Sequence, residues 1–238
     1  MNMMGYKLFE KDLSEINLDK RQVVNTINPH SYITAKDDID FKEALQDSDI
    51  LIPDGSGIVL YAKFIYNKAI SKVAGADLHE FLLKKINERN GKVFYMGASQ
   101  NTLDKIKIRL NNEYPNIIVE SYSPPFKVSF SKEDNDTIID KINLFKPDIL
   151  FIGMTAPKQE KWLHQQKNKL HFNIASSIGA VFDFYAGTVE RPSSIWIKLH
   201  LEWLGRLIKE PKRMWKRNFI STPLFLVDIF LYKLGIKK

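Results

Sequence analysis

Asp148-Ile149-Leu150-Phe151-Ile152-Gly153 is followed by Met154-Thr155-Ala156-Pro157-Lys158-Gln159-Glu160. Four consecutive large apolar residues leave no polar face, so a strand made of them is covered on both sides, as in a parallel sheet sandwiched between crossover helices. Working outward, short β-branched apolar runs recur at Val23–Asn28, Asp49–Asp54, Lys92–Gly97, Ile117–Tyr122 and Phe172–Ile178. Segments of helical period separate them. Those segments carry start and stop signals: Asp77 with Glu80 three residues on, Asn90-Gly91 at an end, and Ser131 before Lys132-Glu133-Asp134. The alternation predicts an α/β fold over residues 1–195, a Rossmann-like three-layer core with a mainly parallel sheet. Ser123-Pro124-Pro125-Phe126 reads as a loop within it.

The chain has 238 residues, 44% hydrophobic and 26% charged, which suits one α/β domain plus an extension and excludes a disordered or multi-span membrane protein. It contains no cysteine, so disulfides, thiolate metal sites and cysteine nucleophiles are excluded, in keeping with a reducing compartment. Met1 to Asn17 is polar and charged, without the apolar run of a signal peptide. The expected location is cytoplasmic.

The net charge of +7 is concentrated. Residues 196–238 hold ten Lys/Arg against Glu202, Glu210 and Asp228, which accounts for the whole excess. A localised basic and aromatic tail points to one anionic partner, here a membrane surface, and away from nucleic acid, for which no reading motif is present. Beyond Pro192 the pattern becomes two amphipathic stretches, Ser194–Glu210 and Lys212–Gly235, separated by Pro211 and interrupted again at Pro223. The most apolar part, Phe219 to Tyr232, contains Asp228 and Pro223 and falls short of the ~20 residues that span a bilayer. We therefore expect a second unit, 196–238, a helical appendage lying peripherally on the inner face of the cytoplasmic membrane.

Ligands of open α/β sheets gather at the carboxyl ends of the strands, and five suggestive clusters fall there. They are Thr26-Ile27-Asn28-Pro29, Pro53-Asp54-Gly55-Ser56-Gly57, Gly97-Ala98-Ser99, Gly153 to Glu160, and Gly179-Ala180-Val181-Phe182-Asp183. Asp54, where a strand meets a glycine-rich turn, is placed to act as a base if its carboxylate enters the cleft; alone, Asp-Gly is more often capping or turn chemistry, and the company of the other clusters favours catalysis. The turns at Gly97 and Gly153 offer backbone N–H groups to a diphosphate. The dinucleotide fingerprint is absent after the first strand, against a nicotinamide enzyme. Asp47-Ser48-Asp49 has the look of a metal-binding carboxylate pair but precedes a strand, at the wrong end for the ligand rim. His30, His79, His164, His171 and His200 lack ligand spacing. Neither a metal nor a cofactor is expected.

Taken together, the motifs make the chain resemble the WecG/TagA/CpsF glycosyltransferases over nearly its whole length. They are Thr26-x-Asn28-Pro29, Pro53-Asp54-Gly55-x-Gly57, Gly75-x-Asp77, Tyr114-Pro115, Pro157-Lys158-Gln159-Glu160, Phe182-Asp183-x-x-Ala186-Gly187, Arg191-Pro192, Leu201-Glu202-Trp203-Leu204-x-Arg206-Leu207 and Glu210-Pro211-x-Arg213. The resemblance implies inverting, metal-independent transfer of a hexose or N-acetylhexosamine, of ManNAc type, from a UDP-sugar to a polyprenyl-diphosphate-linked N-acetylglucosamine. The setting it implies is cell-surface polysaccharide or teichoic acid synthesis. It also implies roles. Asp54 is the base, Thr26 and Gln159 line the catalytic pocket, Asp183 meets the uracil, and Arg206 and Arg213 close over the site onto the diphosphate. Asn28, Gly55, Gly57, Lys72, Gly75, Asp77, Gly97, Gly153, Pro157, Lys158, Lys216 and Arg217 complete the expected substrate-binding set.

Four positions depart from the family pattern: Lys72 for a usual arginine, and Thr155, Ser177 and Ala180 for glycines. They fall near the expected donor pocket, and a bulkier residue in place of glycine changes how closely the backbone approaches a ligand. The donor sugar is thus left open. A non-catalytic, membrane-associated UDP-sugar-binding protein is the alternative function, and a homo-oligomer is neither required nor excluded.

Overall fold

The structure, a computed structural model, describes residues 1–189, Leu204, Leu207 and 211–236. Six strands form one all-parallel sheet in the order β4-β3-β8-β7-β5-β6: β3 (Gln22–Ile27), β4 (Ile50–Pro53), β5 (Lys92–Gly97), β6 (Ile118–Tyr122), β7 (Ile149–Gly153) and β8 (Ile174–Ser177). All four side chains of Ile149 to Ile152 are fully buried, as the unbroken apolar run requires. Each strand runs from within two residues of the expected start to within one of the expected end.

Helices cover both faces. One layer packs α4 (Gly75–Asn87), α5 (Gln100–Glu113) and α8 (Gly179–Ala186) around Leu82, Ile106, Phe151 and Phe182; the other packs α6 (Lys132–Phe145) and α7 (Lys158–Gln166) around Ile138, Leu150, Trp162 and Leu163. Between β3 and β4 lie α1 (Pro29–Asp37) and α2 (Ile39–Gln46), and α3 (Ser56–Tyr66) follows β4.

The caps follow the sequence, with one shift. Ser131 accepts from the N–H of Asp134, whose carboxylate accepts from the N–H of Ser131, closing the expected capping box on α6. Asp77 is not the residue that starts α4. It is the third residue of the helix, and its carboxylate accepts from the N–H of Ala74 at 3.0 Å.

Two features were absent from the sequence reading. Asn2–Met3 and Tyr6–Lys7 make a small antiparallel hairpin, β1 and β2, whose Met3 and Tyr6 are buried. Pro223 does not interrupt its helix either. From Pro211 to Lys233 the chain is helical, as α9 (Pro211–Lys216), a π-turn (Arg217–Ser221) and α10 (Thr222–Lys233), with Pro223 in the first turn of α10. A proline removes one backbone donor and crowds the preceding turn; the wider π-turn before it accommodates both. Phe225 and Ile229 of α10 are buried with Met3, Tyr6, Ile27, Tyr32 and Tyr61, so this part of the expected appendage packs on the sheet's β3–β4 edge. Ser194–Glu210, but for Leu204 and Leu207, lies outside the described residues.

Candidate active site

A cleft of about 280 Å³ opens at the carboxyl ends of β3 and β4, under the helix that begins at Pro211. The N-terminal part of α1 supplies Asn28, Pro29 and His30, the turn after β4 supplies Asp54, Gly55, Ser56 and Gly57, and the helical wall supplies Met214, Arg217, Asn218, Phe219 and Thr222. Lys72 reaches the cleft because the N–H of Val73 donates to the carbonyl of Pro53, laying the α3–α4 connection along the end of β4.

Local chemistry fixes the two turns. Asn28 caps α1 by accepting from the N–H of Ser31 at 3.0 Å, with Pro29 at the position that needs no donor. The N–H of Asp54 donates to the carbonyl of Ile27 at 2.9 Å, so the β4 turn is tied to β3 and the Asp54 side chain stands on the cleft wall.

The helical wall is held by polar contacts with α1. His30 Nδ1 shares a 2.8 Å hydrogen bond with Ser221 Oγ, and Lys36 pairs at 2.9 Å with the buried carboxylate of Asp228. Burial, then the charges of Arg217 and Lys216, pushes the His30 pKa down to about 4, so this imidazole is neutral near pH 7. Desolvation, followed by Asp228, raises the Tyr32 hydroxyl well above its ordinary value.

Of the expected site residues, Asn28, Asp54, Gly55, Gly57, Lys72 and Arg217 meet in this cleft. Thr26, half-buried on β3, is not among its lining residues, nor are Gly75 and Asp77 at the start of α4. Lys216 is exposed outside it, acting on His30 through its charge. Arg206 lies outside the described residues; Arg213 is on α9, its side chain outside them.

The remaining residues stand over β5, β7 and β8. There the backbone is tied to itself. Gly97 has a φ of +112°, and a Cβ on it would stand 2.4 Å from the carbonyl oxygen of Gly153, which accepts instead from the N–H of Ala98 at 2.8 Å. Gln159, 5% exposed, accepts through Oε1 from the N–H groups of Met154 and Gly179, each at 3.1 Å, and donates through Nε2 to Glu160 at 2.9 Å. Pro157 follows a cis peptide and precedes α7. Lys158 turns away, donating to the carbonyl of Lys127 with its ammonium 3.9 Å from the centre of the Phe130 ring. Asp183 sits in α8 and accepts from the Thr188 hydroxyl at 3.3 Å. Burial raises the Glu160 carboxyl to about 7, and its Oε2 has no hydrogen-bond partner among the described residues.

Sequence reasoning missed His30, Met214, Asn218, Phe219 and Thr222. The spacing Met214, Asn218, Thr222 is that of one helical face and was the available signal. Among the described residues, no group of three or more His, Asp and Glu is disposed to hold a metal, and no helix is long and apolar enough to cross a membrane.

The model of the glycosyl transferase WecG/TagA/CpsF family matches residues 5–238, and the chain belongs to this family. It is a glycosyltransferase. Its relatives include a Bacillus subtilis (strain 168) protein, 31% identical over 207 residues covering 87% of this chain and 78% of the relative. One from Bacillus spizizenii is 29% identical over 218 residues, 92% and 82% of the two chains. One from Staphylococcus aureus (strain MW2) is 28% identical over 213 residues, 90% and 81%. All three bear the name N-acetylglucosaminyldiphosphoundecaprenol N-acetyl-beta-D-mannosaminyltransferase.

Proposed function

We propose that this chain transfers an N-acetylmannosamine-type sugar from a UDP-sugar to a polyprenyl-diphosphate-linked N-acetylglucosamine, with inversion, in the synthesis of a cell-surface polysaccharide such as teichoic acid. The relatives' shared name supports the transferred sugar and the acceptor. The observation that carries the chemistry is one cleft holding a carboxylate, Asp54, together with two cationic side chains, Lys72 and Arg217.

In a single inverting displacement the acceptor hydroxyl loses its proton to Asp54 as its oxygen attacks the anomeric carbon. The bond from that carbon to the diphosphate oxygen breaks, and UDP departs with the electron pair. The charge growing on the diphosphate is what Lys72 and Arg217 are suited to stabilise, a guanidinium as a two-pronged donor and an ammonium as a point charge. Arg206 and Arg213 add to this in our reading. Preorganised cations of this kind need no metal beside them, so activity should persist in EDTA.

We also propose that the outer face of the C-terminal helix rests on the inner face of the cytoplasmic membrane. Trp215, Leu224, Leu226, Val227 and Phe230 are exposed on it, beside Lys212, Lys216 and Lys233. Exposed apolar area of this extent, edged by cations, suits an interface with anionic lipid. The deciding assay incubates the protein with a synthetic polyprenyl-diphosphate N-acetylglucosamine and a panel of UDP-sugars and identifies the disaccharide. A product from UDP-N-acetylmannosamine is expected; no product from any UDP-sugar would overturn the reading.

A further inference from the structure

The helical wall of the cleft carries a side chain whose chemistry is unfinished. Asn218 lies on the π-turn, lines the cleft, and has its amide nitrogen Nδ2 buried with no hydrogen-bond partner among the described residues. A buried donor left unmade costs about 1–3 kcal/mol, and native structures keep few of them. An asparagine inside a helix is also a poor helix former, so its packing there has a different origin. Nδ2 only donates, and what it lacks is therefore an acceptor.

The surroundings select among acceptors. Arg217, the preceding residue, and Lys72 line the same cleft, whereas Asp54 is its carboxylate. An anionic oxygen is favoured beside the two cations, and the carboxylate is suited to the opposite task, receiving a proton. The imidazole of His30 is neutral and shares its Nδ1 hydrogen bond with Ser221, at the end of the same π-turn. That bond ties the turn that carries Asn218 to α1.

We infer that Asn218 is a substrate-binding residue, its amide donating to an oxygen of the substrate's diphosphate. The inference rests on the transferase reading above for the diphosphate, which both the nucleotide donor and the lipid-linked acceptor carry.

Equilibrium titration of the full chain with inorganic pyrophosphate, UDP, uridine and a short-chain prenyl-diphosphate N-acetylglucosamine tests this, comparing wild type with Asn218→Leu, which has no donor, and Asn218→Ser, which restores one. Pyrophosphate should bind Asn218→Leu about tenfold or more weakly, the scale of a hydrogen bond to a charged group, with Asn218→Ser in between and uridine unchanged. Loss confined to UDP assigns the bond to the donor, loss confined to the prenyl compound assigns it to the acceptor, and either supports the inference. Equal affinity of wild type and Asn218→Leu for all three diphosphates overturns it, as does a wild-type protein that binds none of them. Should Asn218→Leu not fold, full pyrophosphate affinity in Asn218→Asp, which keeps the shape without a donor, overturns it equally. Pyrophosphate binding that depends on Asn218 in a protein that transfers no sugar would sink the transferase reading and leave the inference standing.

Discussion

Over β3 and β4 the polar residues of the rim line a cleft, whereas over β5, β7 and β8 the expected site residues are tied to the backbone around them. Asp54, Lys72, Arg217 and Asn218 border a cleft. Gly97, Gly153 and Gln159 instead join strand ends to each other through Ala98, Met154 and Gly179. Motifs alike in sequence thus divide into residues placed at the cleft and residues that hold the rim in shape. On this view a change in the first half alters rate with little effect on stability, and a change in the second alters stability first.

Asp54→Asn should give the largest effect, a fall of roughly 10²–10⁴ in kcat, the worth of a general base, at an unchanged melting temperature. Steady-state kinetics with a lipid-linked acceptor and a thermal melt check both halves of that statement. Near wild-type kcat would reduce Asp54 to a residue of the turn after β4, tied to β3 through its backbone. Gly153→Ala probes the other half. A Cβ there would stand 2.3 Å from the ring of Phe182, which is fully buried. Overpacking of this kind costs about 1–3 kcal/mol, and for a chain of this size the melting temperature should drop by roughly 2–12 °C. A variant as stable as wild type would mean that Phe182 moves aside freely and that this half of the rim is not tightly built.

Much of the fold was legible because its signals are local. An apolar run such as Ile149 to Ile152 declares a doubly buried strand without reference to the rest of the chain, and Ser131 with Asp134 declares a helix start. The hairpin at Asn2–Lys7 was not legible, since two-residue strands have no period to read. The division of the rim was hidden for a different reason. Which strand ends face the cleft depends on the π-turn and α10 lying against α1, through His30 with Ser221 and Lys36 with Asp228, pairs 191 and 192 residues apart. The same docking brings Asn218 and Phe219 to the site. The sequence showed the apolar period of that helix but not the surface it meets.

Gln159 is expected in the catalytic pocket, yet its contacts brace the rim. Gln159→Met keeps the volume and removes the acceptor for the N–H groups of Met154 and Gly179. With two partly buried donors unmade, we expect a loss of about 1–3 kcal/mol by urea denaturation. If Gln159 only braces, turnover in folded protein at low temperature should fall less than tenfold. A loss comparable with that of Asp54→Asn, at full stability, would move Gln159 to the catalytic half.

The smallest expected effect concerns Glu160, whose carboxyl is buried at 6% exposure and raised from about 4.5 to about 7 by that burial. Between those values the unfolded chain ionises this group while the folded protein keeps its proton. Unfolding then releases a proton, and the contribution of Glu160 to stability is full below pH 4.5 and lost as pH rises through 7. His30 and His79, pushed down to about 4 and about 3 by burial, slope the other way below pH 6.5, so the wild-type profile alone does not isolate Glu160. Glu160→Gln does, because an amide oxygen can still accept from Gln159 Nε2 and the group no longer titrates. Relative to wild type the variant should gain about 1–3 kcal/mol between pH 4.5 and pH 8, measured by urea denaturation at several pH values. A difference that stays constant with pH would mean that Glu160 ionises normally in the folded protein. The rim over β7 and β8 would then contain a buried charge with a partner, and its contrast with the β3–β4 cleft would weaken.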